Sequence, residues 1–145
     1  MTGILGSVDI GSIAGMPFEI PVRRGAGWMD TEAPGWWKRD YTAPIQLKKL
    51  DMSDPNRCVL GQVYGSFYPC PPMVRTLSRY GYNPDVVLDQ DSIVGRRLDQ
   101  DILEEYGPRG LALPRSAGMD TWDILTATWR ALIQGRRNQF SNRSK

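Results

Sequence analysis

The chain has 145 residues, 41% hydrophobic and 23% charged, with a formal net charge of +2. That length suits one domain, burying about two thirds of the surface its unfolded form exposes. Histidine is absent, which removes the commonest general base and zinc ligand and excludes Ser-His and Cys-His nucleophile pairs. Catalysis would have to rest on carboxylate, Lys, Tyr or substrate-assisted chemistry, so the composition points to a non-enzymatic protein. No apolar run reaches the roughly 18 residues of a membrane-spanning helix. The opening "MTGILGSVDIGSIAG" has no early Lys or Arg and is broken by glycines, a poor signal peptide. The expected location is the cytosol or a particle assembled inside a cell.

Residues 1–27 carry six glycines and two prolines among short apolar runs. Glycine is costly in regular elements. Val8 and Ile10 flank Asp9, and Phe18 and Ile20 flank Glu19, an alternation that suits short extended pieces. Pro17 and Pro21 confine any such strand to an edge. The segment reads as an extended, partly β-like arm that docks on a partner, with Ile4, Val8, Phe18, Ile20, Arg23 and Arg24 as its contact residues. Residues 28–137 then form a helical globular domain, and 138–145 a basic polar tail.

Three of the five tryptophans fall between 28 and 50. Trp28, Trp36, Trp37 and Tyr41 would make a stacking surface for bases, but tryptophans this dense in a small domain are more often core. Trp36 is assigned to the core on that ground.

Four helices follow. "SDPNRCVLGQVYG" has a Ser53 or Asp54 cap, Pro55 in a tolerated first-turn position, and Cys58, Val59, Gln62 and Val63 on one face, ending at Gly65. "PPMVRTLSRYG" starts on proline and stops at Gly81, with Met73, Val74, Leu77 and Tyr80 inward. "DSIVGRRLDQDILEEYGP" places Val94, Leu98, Ile102 and Tyr106 on or near one stripe. The clearest is "DTWDILTATWRALIQGRR", where Trp122, Leu125, Trp129, Leu132 and Ile133 follow helical spacing after an Asp120 or Thr121 cap. Arg136 and Arg137 close it, where the helix dipole favours cations, and count with the tail as a basic interaction surface. The fold is therefore mainly α, a single small domain of about four helices behind an extended arm.

Both cysteines lie in "RCVLGQVYGSFYPC", separated by eleven residues. Structural zinc takes four ligands, usually in paired C-x-x-C spacings, and neither a third cysteine nor a histidine is present. Cys58 belongs to the apolar face as a buried thiol. Cys70, between Pro69 and Pro71, is expected in a loop and more exposed. Gly61 is expected to admit a neighbouring helix, and Gln62 to be a buried amide bonded to backbone. "DQDSIVG" opens like a calcium loop but has Ile93 and Val94 where an oxygen ligand and glycine are required. Neither a P-loop nor a G-x-G-x-x-G motif occurs. No metal, cofactor or catalytic residue is assigned.

The stretches Pro34-Gly35-Trp36, Leu50-Asp51-Met52, residues 57–62 ("RCVLGQ") and Leu125 to Ile133 ("LTATWRALI") together resemble a group of small, uncharacterised proteins of actinobacteria and their phages. The resemblance covers about half the chain in two pieces. It implies a small helical core and a phage or actinobacterial source, and carries no activity. The expected role is a structural phage-particle component (head, connector or tail accessory) that binds other particle proteins or copies of itself. The alternative is a soluble regulator or counter-defence protein holding a small ligand or host protein in an aromatic pocket. Nucleic acid is a less favoured partner, and a membrane is not expected.

Overall fold

A computed structural model of the chain describes residues 13–67, 70–83 and 93–144. Among them are five α-helices and no strand: α1 Glu19–Glu32, α2 Val59–Tyr64, α3 Pro71–Arg79, α4 Ile93–Tyr106 and α5 Met119–Ser144. Two 3-10 turns, Leu47–Lys49 and Gly107–Arg109, interrupt the connections. No helix among the described residues is long and apolar enough to cross a membrane.

The mainly helical class expected from the sequence is the class observed. The extended arm is corrected from Ile13 onward, because residues 14–18 form hydrogen-bonded turns and residues 19–32 are α1, and the 27/28 boundary falls inside that helix. Residues 1–12, including Ile4 and Val8, lie outside the described residues. Pro21 is tolerated because it sits in the first turn, where its missing N–H has no intrahelical partner. Val22, Gly25, Ala26 and Met29 form the buried stripe. Gly25 is there because its bare Cα meets other chain segments: a Cβ would strike the Arg109 carbonyl oxygen and the Trp129 ring. Glycine's helix penalty is outweighed by that close packing.

The crossing is completed by Gly107–Arg109 and α5. Trp129, fully buried, donates from Nε1 to the Gly110 carbonyl at 2.6 Å. Gly110 adopts φ +65° and touches Val22, so backbone, helix and indole meet with little room for side chains. The Arg109 guanidinium covers the Trp28 ring at 4.8 Å, and Trp28 stands edge-on to Tyr106 at 5.8 Å. On the far side of Tyr106, its hydroxyl pairs with Thr76 of α3 at 2.9 Å. Glu105 also links α3 and α4, at 2.9 Å from Arg79 and 3.4 Å from Arg109. Burial alone would raise its pKa, but the two guanidinium groups outweigh that and hold it below the ordinary carboxylate value.

Residues 33–58 contain no α-helix, so their backbone polar groups need partners elsewhere. Turns within the segment pair part of them, such as Trp36 N to the Ala33 carbonyl and Asp51 N to the Arg57 carbonyl, and α5 supplies further partners from one edge. Thr126 Oγ1 accepts from Met52 N at 2.9 Å. Arg130 donates to the Leu47 and Leu50 carbonyls, both at 3.1 Å. Arg137 donates to the Trp37 and Ile45 carbonyls, both at 2.7 Å. Beside this edge, Arg136 is 4% exposed and forks onto Asp30 of α1 at 2.8 and 3.2 Å, while Trp36 Nε1 donates to the same carboxylate at 2.9 Å. Arg136 and Arg137 are therefore internal ties, which corrects their assignment to a surface patch. They continue the α5 stripe, seven residues after Trp129 and four after Ile133. The tail is corrected too, since α5 runs on to Ser144.

The helix ends follow the sequence signals in part. Gly65 and Gly81 take the left-handed conformation after α2 and α3, at φ +92° and +85°. The expected Ser53 or Asp54 cap is corrected: α2 starts later, with Cys58 as N-cap, and Pro55 sits in a turn. The thiol accepts from Gly61 N at 3.2 Å. Gly61 admits the Pro55 carbonyl and Asn56 backbone of the preceding turn, not another helix.

Two substitutions test this architecture. Trp129→Ala removes the indole at the crossing and its hydrogen bond, and should cost about 3 to 5 kcal/mol, a large share of a small domain's stability. Arg137→Lys keeps the charge but loses the planar fork, leaving a buried carbonyl unpaired at a cost of about 1 to 3 kcal/mol. Urea unfolding followed by tryptophan fluorescence measures both. A Trp129→Ala protein as stable as the parent would mean that the crossing is not the centre of the fold.

Candidate functional site

Three places on this scaffold have the makings of a site: a cavity beside α4, the buried cysteines, and the base of the N-terminal segment. The cavity, about 550 Å³, opens between the turns at 52–58, α4, residues 111–115 and the start of α5. Met52, Phe67, Ile102, Leu103, Leu111 and Trp122 make its walls largely apolar. Its charged edge is Asp99, whose Oδ2 lies 3.0 Å from Arg115 Nε. That oxygen is buried and lacks an aligned hydrogen bond, so the guanidinium balances its charge without satisfying its geometry. The volume falls in the range of small-molecule sites, and the chemistry on offer is apolar contact beside one ion pair.

Cys58 also borders this cavity, but its thiol is held inert. Burial is the main cause that pushes its pKa up to about 12, against a smaller opposing effect from the Gly61 N–H. Cys70 is 2% exposed, which corrects the expectation of an exposed loop thiol: it is the N-cap residue of α3, turned inward. Burial raises its pKa as well. Both cysteines are free. A thiol kept protonated is a poor nucleophile and a poor metal ligand. No group of three or more His, Cys, Asp or Glu side chains able to hold a metal ion occurs among the described residues.

The N-terminal segment is anchored at its base. Ile13 is fully buried, and Thr128 of α5 donates to the Pro17 carbonyl at 2.7 Å. Phe18 turns the chain with φ +63°, rare for an aromatic residue, and packs against the core. Gly15 N–H and Arg23 both bond the Glu19 carboxylate, at 2.9 and 3.1 Å. Of the expected contact residues, Phe18 and Arg23 are thus used within this turn, whereas Ile20, at 60% exposure, and Arg24 face solvent.

The expected core residues mostly fall where the sequence put them. Trp36, Cys58, Val59 and Trp129 are buried. Trp122 is partly buried and lines the cavity instead. Gln62 bonds backbone as expected, accepting from Gln46 N at 2.7 Å and donating to the Arg57 carbonyl at 2.9 Å, but it is only half-buried. Trp28, Trp37 and Tyr41 pack against the core. Sequence reasoning missed Asp30 and Arg130, whose partners are distant in the chain, and the exposed apolar Met119, Ile124 and Phe140.

The buried acids carry a pH signature. Cys58 and Tyr106 both have folded pKa values pushed up to about 12, with burial as the largest cause. The folded state therefore keeps these protons while the unfolded chain releases them. Stability from this source is complete below the unfolded values of 9.0 and 10.0 and is lost as pH rises toward about 12. Thermal melts should fall steadily above that onset, and Cys58→Ala should flatten the decline. In the native protein at mildly alkaline pH, iodoacetamide should label both thiols slowly, and quickly once urea unfolds the chain. Rapid labelling of native Cys58 would overturn its assignment as a buried cap. No protein family, no curated protein and no solved structure matches this chain.

Proposed function

We propose that this protein is a non-enzymatic interaction protein, a small structural component of a bacteriophage particle, that docks on protein partners through its N-terminal segment. The observation that carries this reading is the anchored base of that segment. Ile13 is sunk in the core and Pro17 is tied to α5, so the point at which residues 1–12 join the described domain is fixed. Those residues hold Ile4, Val8 and Ile10 between glycines, too little apolar surface to fold alone. Ile20, in the first turn of α1 just after this anchor, is exposed and offers a further apolar contact. Fixing one end of a docking segment lowers the entropy lost on association. The assignment to a phage particle draws on the sequence resemblance alone.

A second reading, a binder of a small ligand or a host protein, is favoured by the apolar cavity with its Asp99–Arg115 pair. Deleting residues 2–12 separates the two. If the segment is the docking element, the shortened protein keeps its helical circular dichroism and its melting temperature, while its incorporation into purified particles, scored by mass spectrometry, is lost. Incorporation at the parent level would sink the first reading. A thermal shift with a small-molecule panel, unchanged by the deletion, would then favour the second.

A further inference from the structure

The long helix α5 is packed on three sides and open on the fourth. Leu125, Trp129, Leu132 and Ile133 face the core. Thr126, Arg130 and Arg137 hold residues 33–58 along one edge, and Thr128 holds Pro17 along the other. Between the edges, Asp120, Asp123, Ile124, Ala127, Ala131 and Gln134 recur at helical spacing. Ile124 is 44% exposed and Ala127 is exposed, with no element of the described chain over them. Leu47 and Lys48 rise beside Ala127, Ala131 and Gln134 to form the wall of a shallow trough of about 390 Å³. Its floor is methyl groups, which lets a second helix approach to the short end of the usual spacing, about 8 Å between axes.

We propose that this trough is occupied by α5 of a second copy of the chain, the two helices running antiparallel about a two-fold axis centred between Ala127 and Ala131. This rests on the reading of the protein as an interaction protein and names one partner. The distribution of charge argues for a copy over an unrelated helix. The acids of α5, Asp120 and Asp123, lie in its first two turns, and none follows from Ile124 to Ser144. Two exposed cations line the trough: Arg130, which is committed to the Leu47 and Leu50 carbonyls, and Lys48, which follows Leu47 and so lies about two turns beyond Asp123 along α5. A parallel pair would set Asp123 against its own copy. An antiparallel pair sets Ala127 against Ala131 twice and brings each Asp123 toward Lys48 of the other copy. The rotation keeps the trough wall on the same side of both helices, so the match is self-complementary, as a two-fold interface requires. One helix face buries less than the roughly 800 Å² per partner of a standard interface, so the dimer forms at high concentration and dissociates on dilution.

Sedimentation equilibrium of the full chain, from low to high micromolar, reads this directly. The expected result is a shift from 16.3 kDa toward twice that mass. Ala127→Glu should leave a folded monomer at every concentration, with circular dichroism unchanged. Asp123→Lys and Lys48→Glu should each weaken the dimer about tenfold, and the double variant should recover most of the loss, the signature of a paired contact. Deletion of residues 2–12 should leave the dimer intact, which separates this interface from the N-terminal docking segment. A parent protein that stays monomeric throughout, or a dimer indifferent to Ala127→Glu, overturns the proposal. So does a dimer lost on the 2–12 deletion, an outcome that leaves the docking role of the segment standing.

Discussion

Residues 33–58 cross the domain with no α-helix and no sheet, turns pair only part of their backbone, and the structure depends on how the remaining hydrogen bonds are met. A buried carbonyl without a donor costs about 1 to 3 kcal/mol. α5 answers from Thr126, Arg130 and Arg137, whose 4- and 7-residue spacing keeps them on one edge. Arginine suits the task because one planar fork reaches two carbonyls: Arg130 spans Leu47 and Leu50, and Arg137 spans Trp37 and Ile45. The irregular segment is thereby pinned to the most regular element in the molecule.

The same helix organises the opposite side. Gly25 of α1 leaves space that the Trp129 indole and the Arg109 carbonyl occupy, Gly110 leaves space for Val22, and the indole N–H closes the junction onto the Gly110 carbonyl. Arg136 reaches Asp30 one turn later in α1, where Trp36 also donates. Removing the half-exposed Asp30 would leave the buried Arg136 guanidinium without a counter-charge. Rigid junctions on both edges of α5 make its remaining face a fixed platform, which suits a surface that meets other proteins.

Chemistry is correspondingly quiet. The two thiols are buried and kept protonated, and among the described residues the orphaned Asp99 Oδ2 is charge-balanced by Arg115. Among the charged and polar groups that face outward stand a few large apolar ones: Ile20 by the N-terminal anchor, Ile124 on α5, and Phe140, which stacks edge-on to Trp37 at 5.7 Å. Solvent exposure of aliphatic groups at fixed points is the physical basis for reading this molecule through its surfaces.

The sequence by itself determined what depends on neighbours along the chain. The stripe Leu125, Trp129, Leu132, Ile133 identified α5 and its buried face, the glycines after α2 and α3 marked their ends, and the apolar setting of Cys58 identified a buried thiol. What only the tertiary structure decided concerns groups whose cost or use is set across space. Gly25 looked like a helix breaker because its local entropy is unfavourable, yet α1 forms since the missing Cβ admits Trp129 and the Arg109 carbonyl. Arg136 and Arg137 looked like a solvated basic end because a guanidinium without a partner belongs in water. They are buried because Asp30 and the carbonyls of Trp37 and Ile45, some hundred residues earlier, replace that water.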